Sequence, residues 1–318
     1  PTFPYRGVMV DVSRNFISID KLKETVRAMG YNKMNVLHLH LSDTASFPLE
    51  LVTQPNMTSY GAYDAGRYYS IAEVADFVSF AHSYGVMILP EIDMPAHVSA
   101  GWQWGSDAGL GEFTVCVDPD GTNGADYKVD ALGPPSGQLN VVNENVYPVL
   151  QDIYQEVISL FQSDYFHLGG DEVIVGNDEV TPSCYNRTSL AQPILAYLDS
   201  IGKSRDDPRS FYELWDNFTM RATAMVQDVY AKKSSVASSL SKIHVWGGGG
   251  EPSEITYNMM LQPSLTSILP PSLFTIEVWD TSDISLTKTL IQKGYDVILA
   301  NSDYVYLDCG NAGWVSAG

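Results

Sequence analysis

Two acids stand side by side at the end of an apolar run. Tyr165–Val173 reads YFHLGGDEV, so Asp171 and Glu172 follow directly on Gly169 and Gly170. Adjacent carboxylates repel, which favours a retained proton on one of them. A carboxyl group kept protonated can hand its proton to a glycosidic oxygen. Other apolar runs also end in chemistry-bearing residues: Arg14, then Asp43, Glu91 with Asp93, Trp246, Trp279, and Asp303 with Tyr306 and Asp308. Carboxylates and arginine grip hydroxyls, and tryptophan faces stack on the C–H faces of pyranose rings, so the set reads as a sugar pocket. Taken singly, a tryptophan in an apolar strand is ordinary core packing and an acid at a strand end is often a helix N-cap. The order sets this chain apart, because every one of the runs ends in such a group.

Those runs are Gly7–Val12, Val36–Leu41, Val86–Ile92, Tyr165–Leu168, Ile243–Trp246, Phe274–Trp279 and Tyr295–Ala300. Near-continuous apolar strands suit a parallel sheet covered on both faces. Between them, helical spacing predicts helices over Asp20–Met29 with Asp20 as N-cap, Ser70–Tyr84, Asn145–Gln162, Ser189–Ile201, Phe211–Leu240 and Ile284–Lys293. Ser70 with Glu73 reads as a capping box, and Gly294 as a C-cap. Alternation alone fits a doubly wound sheet or a (β/α)8 barrel. Functional groups at the C-terminal ends of the strands favour the barrel, because closure makes those ends converge on one mouth. The expected fold class is α/β, a (β/α)8 TIM barrel lacking its eighth β/α unit in this chain, with residues 1–318 forming a single catalytic domain. Gly105–Gly137 reads as a long Gly/Pro/Asp-rich functional loop after the third strand.

With 45% hydrophobic residues, the 318-residue chain can bury a large core. A net charge of −20 and a pI of about 4.4 argue against nucleic acid and anionic membrane as partners. No apolar run approaches the ~20 residues that span a bilayer. Sequons at Asn56, Asn186 and Asn217 point to a secretory route. Cys116, Cys184 and Cys309 allow one disulfide plus a leftover, or three buried thiols. C-x-x-C spacing is absent, which argues against a thiolate zinc site. His38 and His40 alternate along one strand, so both imidazoles could face the barrel axis and bind a metal. Metal-dependent amidohydrolases place such a pair in the first strand and draw further ligands from later ones. Here the pair lies in the second run and no lysine ends the middle runs, so no metal or other cofactor is expected.

Arg6–Phe16 (RGVMVDVSRNF), Asn35–Pro48 (NVLHLHLSDTASFP), Leu89–Gly101 (LPEIDMPAHVSAG), Gly137–Val157 (GQLNVVNENVYPVLQDIYQEV), the YFHLGGDEV block and Asn301–Val315 (NSDYVYLDCGNAGWV) run collinearly along the chain. Together they resemble the catalytic barrel of glycoside hydrolase family 20, the β-N-acetylhexosaminidases, and most of all its eukaryotic secreted and lysosomal-type branch. The resemblance implies an exo-acting enzyme that removes terminal GlcNAc or GalNAc from glycans or chitooligosaccharides. The family is substrate-assisted and retaining, with an oxazolinium intermediate. By position, Glu172 would be the acid and then the base, and Asp171 would orient the 2-acetamido group. Asp43 and His97 would form a chain reaching Glu172. Arg14 and Asp308 would bind sugar hydroxyls, Trp246 and Trp279 would wall the acetamide pocket, and Tyr306 would hold the acetamide oxygen. His167 is either a further member of the site or a buried, satisfied histidine. The resemblance also implies a Cys116–Cys184 disulfide with Cys309 pairing elsewhere, a homodimer, and secretion or a lysosomal or vacuolar location. An N-terminal α/β domain and the end of the barrel would lie outside this chain. The alternatives are a catalytically silent sugar-binding barrel and a disaccharide-releasing relative. The chain departs from the family pattern at Leu39, where relatives often have Trp, and at Gly247–Gly250.

Overall fold

The computed structural model describes residues 2–117, 136–173, 190–232, 240–247, 265–279 and 284–307. Cys184, Asn186, Asp308 and Cys309 lie outside them. Seven strands form one parallel sheet in strictly sequential order: β1 (Gly7–Asp11), β2 (Val36–His40), β3 (Met87–Glu91), β6 (Tyr165–His167), β7 (Lys242–Gly247), β8 (Phe274–Val278) and β9 (Asp296–Leu299). Two short strands, β4 (Thr114–Val115) and β5 (Gln138–Leu139), pair antiparallel in a separate sheet. Each expected strand is present, and the order is that of a (β/α)8 barrel short of one β/α unit. The outer strands show it: β2 and β8 are buried throughout, whereas β1 and β9 keep exposed positions.

Strand alternation divides the side chains into two layers. Leu37, Leu39, Ile88, Phe166, Ile243, Val245, Phe274 and Ile276 belong to the main hydrophobic core. Phe166 meets Tyr154 of the helix Val146–Phe161 edge-on at 5.3 Å. The alternate positions carry His38, His40, Glu91, His167, His244, Trp246 and Glu277, all buried. Branched aliphatic side chains usually fill this space in a barrel. Here it is largely titratable, and charges so placed persist only when paired.

The first helix, Ile19–Tyr31, is capped by Ser18 and not by Asp20. Ser18 is extended, and its carbonyl accepts the amides of Lys21 and Leu22 at 3.0 and 3.1 Å. Asp20 falls in the first turn, where its charge suits the helix dipole. Ser70 and Glu73 form both arms of the capping box on the helix Ile71–Ser83. The helix expected from Phe211 begins earlier, at Pro208, whose fixed φ suits a first helical position. Beyond the helix Ser285–Gln292, Gly294 takes φ +92°. The loop region after β3 holds β4 paired with β5. Its Cys116 is buried and disulfide-bonded, and the expected partner, Cys184, lies outside the described residues.

Candidate active site

The sheet gathers the functional groups at the C-terminal ends of its strands. After β1 the chain turns on Asp11, whose Oδ1 accepts the amides of Ser13 and Arg14 at 3.0 and 2.8 Å. That turn aims the Arg14 guanidinium inward, with Nη1 on Asp11 Oδ2 and Nη2 on Asp43 Oδ2, both at 2.8 Å. The exposed ring of Tyr63 joins the rim here, donating its hydroxyl to the Arg14 carbonyl at 2.8 Å.

After β6 the backbone folds sharply. Gly169, Gly170 and Glu172 all take positive φ, at +68°, +92° and +51°. The Gly169 amide donates to His167 Nδ1 at 2.9 Å, and the Gly170 amide donates to Asp93 Oδ1 at 2.8 Å. His167 is thus a buried histidine that fastens the turn through Nδ1, while its Nε2 makes no hydrogen bond. The turn brings Asp171 and Glu172 round to the same imidazole. His97 Nε2 lies 3.1 Å from Glu172 Oε2 and 3.7 Å from Asp171 Oδ2. His97 itself sits at φ +56° in the loop after β3.

The expected line from Asp43 through His97 to Glu172 is present in space but is not a simple hydrogen-bonded chain. His97 Nδ1 stands 3.7 Å from Asp43 Oδ2. Arg14 Nη2 is closer to that oxygen, and His40 Nε2 binds it at 3.0 Å. Burial opposes charge on both members of the pair, and their surroundings overcome it. The charges of Asp43 and Asp171 and the hydrogen bond to Glu172 push His97 up to about 10. His97, His40 and Arg14 hold Asp43 below the usual carboxylate range despite its burial. Burial raises the proton affinity of Asp171; the charge of Glu172 adds to this while His97 opposes it.

Trp246 is buried in the barrel, and its indole N–H donates to Glu91 Oε1 at 2.6 Å. Trp279 is half-buried just past β8, where its amide donates to the Gly247 carbonyl at 3.3 Å. Tyr306 stands exposed after β9, following the short helix Ser302–Val305. The rim thus carries Trp279 two strands and Tyr306 three strands from β6. Sequence reading did not single out Asp11, Tyr63 or Glu277, nor the way the interior groups pair around Glu91. Asp11 was detectable as an inward position on the last residue of β1, one turn before Arg14.

The interior histidines differ in how they are engaged: both nitrogens of His38 and Nε2 of His167 are buried without a hydrogen bond. His38, His167 and Glu277 converge within 4.8 Å, as do His40, Glu91 and Asp93. His167 Nδ1 accepts the Gly169 amide and lies 3.3 Å from Glu91 Oε1, and its Nε2 stands 3.8 Å from Glu277 without a hydrogen bond. Both nitrogens of His40 engage carboxylates. The charges also set a pH dependence of stability. His38, raised to about 9 by Glu91 and Glu277 against burial, and His97, raised to about 10, bind protons more tightly folded than unfolded. That stabilisation is complete below the unfolded histidine value of about 6.5. It is lost as pH climbs through 9 to 10. The thermal midpoint should therefore fall steadily between pH 7 and 10, and a midpoint flat over that interval would count against these ion pairs.

The fold has solved counterparts. Over 97% of this chain and 43% of the other, it superposes on the exo-β-N-acetylglucosaminidase of Vibrio harveyi, solved with N-acetylglucosamine, with a TM-score of 0.68 at 22% identity. At that identity the likeness speaks for the fold alone. In sequence it is 34% identical over 319 residues to the chitooligosaccharidolytic β-N-acetylglucosaminidase of Bombyx mori, covering 100% of this chain and 47% of that protein. It is 32% identical over 316 residues to a β-hexosaminidase of Emericella nidulans, covering 99% of this chain and 46% of that one. The chain spans about half the length of the curated relatives it matches. Residues 3–317 match glycosyl hydrolase family 20, catalytic domain, and the chain belongs to that family.

Proposed function

We propose that this domain carries the active site of an exo-β-N-acetylhexosaminidase. It would remove terminal non-reducing N-acetylhexosamine from glycans or chitooligosaccharides, with the substrate's own acetamide oxygen as nucleophile. The observation that carries this reading is the convergence of Asp171 and Glu172 on one nitrogen of His97, at 3.7 and 3.1 Å. Carboxyls on adjacent residues that meet one nitrogen face the substrate from one side. An acid–nucleophile pair brackets the anomeric carbon from two sides. A one-sided pair suits substrate assistance, in which the nucleophile comes with the substrate.

In this reading Glu172 protonates the leaving oxygen and then activates water. Asp171 accepts the acetamide N–H and steadies the positive charge of the oxazolinium. Arg14, whose guanidinium is already oriented by Asp11 and Asp43, takes the ring hydroxyls, and Asp308 adds to them. Trp246 and Trp279 line the acetamide pocket, and Tyr306 hydrogen-bonds the acetamide oxygen. Exposed sequon residues Asn56 and Asn217 suit a glycosylated protein on the secretory route, secreted or lysosomal. No helix among the described residues is long and apolar enough to cross a membrane.

The test is release of nitrophenol from 4-nitrophenyl N-acetyl-β-D-glucosaminide, with inhibition by GlcNAc-thiazoline. Turnover with thiazoline inhibition is the expected result. Sugar binding without turnover would make the domain a silent barrel, and disaccharides released from chitooligosaccharides would replace exo-action with the disaccharide-releasing reading.

A further inference from the structure

Glu91 ends β3 in the barrel interior, with no exposed surface. Its Oε1 accepts the Trp246 indole N–H at 2.6 Å, and its Oε2 accepts from His40 Nδ1 at 2.9 Å. The far nitrogen of His40 binds Asp43 Oδ2 at 3.0 Å, the oxygen that also takes Arg14. A neutral imidazole has one N–H. His40 lies between two carboxylates, so both bonds form only while it is an imidazolium. His38 Nε2 lies 2.9 Å from Glu91 Oε2 as well, and the Trp246 ring stacks on His38 at 5.6 Å.

We propose that Glu91 is the positioning residue of this site: one buried carboxylate holds both the acid–base line, through His40 and Asp43, and the Trp246 indole. This rests on the reading of the site given under Proposed function. Each arm has a physical cost if Glu91 goes. The indole N–H would be left buried without an acceptor. His40 would lose an anion and release its proton at lower pH, and Asp43 would then lose a cation and take up a proton at higher pH. The groups facing Glu91 are His38 and His40 from β2, His167 from β6, Glu277 from β8, and Asp93 and Asp171 above it. The imidazoles on this list keep it ionised against its burial, His40 foremost.

The experiment is Glu91→Gln in the intact protein, which keeps the shape and removes the charge. Two readouts are taken: the pH profile of kcat/KM on an aryl N-acetyl-β-glucosaminide, and the indole proton of Trp246 by NMR, assigned with Trp246→Phe. In Glu91→Gln the acid limb should move up by about one pH unit. The indole proton, no longer bonded to a carboxylate, should move upfield. Trp246→Phe cuts one arm only, so KM should rise while the acid limb stays in place. If Glu91→Gln matches wild type in both readouts, or if Trp246→Phe moves the acid limb as far, the proposal is overturned. Should Glu91→Gln fail to fold, Glu91→Asp keeps the charge with a shorter reach. It should hold the acid limb and shift the indole, and movement of both or of neither overturns the proposal. If the wild-type protein turns over no hexosaminide, the functional reading fails by itself, and the indole resonance still decides whether Glu91 holds Trp246.

Discussion

Replacing Glu172 with glutamine is expected to lower kcat by about 10²–10⁴-fold on a substrate whose leaving group needs a proton, the range that positioned general acids supply. A nitrophenyl leaving group departs as a stabilised anion, so its first step should suffer far less. The ratio of the two losses isolates proton donation from binding. KM should change little, because glutamine keeps the size of the side chain and its contact to His97 at 3.1 Å. The fold should tolerate the change: the Glu172 side chain is 22% exposed, and water screens what its charge contributes. Equal losses on both substrates would show that Glu172 does something other than protonate the leaving oxygen. Full activity on the poor leaving group would remove it from the acid role.

Gly169→Ala is the second large effect, and it reaches the site from beneath. Gly169 takes φ +68°, and a Cβ there would overlap Asp93 Oδ1 and approach Asp93 Cα to 2.5 Å. Asp93 has nowhere to retreat: its amide donates to Ser42 Oγ at 3.2 Å and its Oδ1 receives the Gly170 amide at 2.8 Å. The turn must open instead, and Asp171 and Glu172 move with it. A loss of about 2–4 kcal/mol in stability is expected, from left-handed strain plus the collision. Activity should fall by at least about 10²-fold, since a displacement near 1 Å at a catalytic group has that effect. Gly170→Ala is the internal comparison. It shares the positive φ, but its nearest neighbour is the Met94 carbonyl at 3.8 Å, so only the conformational part of the cost applies. Equilibrium denaturation and kcat on both variants separate strain from collision, and equal behaviour of the two would refute the tight fit over Asp93.

Much of this was legible in the chain. The seven apolar runs are the seven strands, because the alternate strand positions that pack in the main core need apolar residues. The polar residues that end them reach one rim, because parallel strands share a direction. Legibility fails where a residue's meaning depends on what lies across the barrel. Alternation puts His38 and His40 on one face, which raises a metal pair only as a rival reading; that Glu91 from the next strand would meet both is invisible along the sequence. Trp246 reads as a pocket wall, and nothing along the sequence shows that its indole N–H is turned into the interior toward Glu91. The positive φ of His97 and Glu172 had no signal either, because neither is glycine. Ser18 displaced Asp20 as the cap through backbone bonds alone, which side-chain preference does not report.

The charged interior also constrains how this protein can change over generations. An aliphatic barrel core tolerates substitutions one at a time, since neighbours of similar volume repack around each. In this chain His38, His40, Glu91 and Glu277 are interlocked ions, and exchanging any one for leucine strands a partner without its counter-charge. Breaking such a pair costs about 3–5 kcal/mol, whereas replacing all its members together can be neutral or better. A route from this interior to an oily one therefore crosses a valley of unstable single mutants. The interior is held in place as much by the lack of viable intermediates as by what it does for the site.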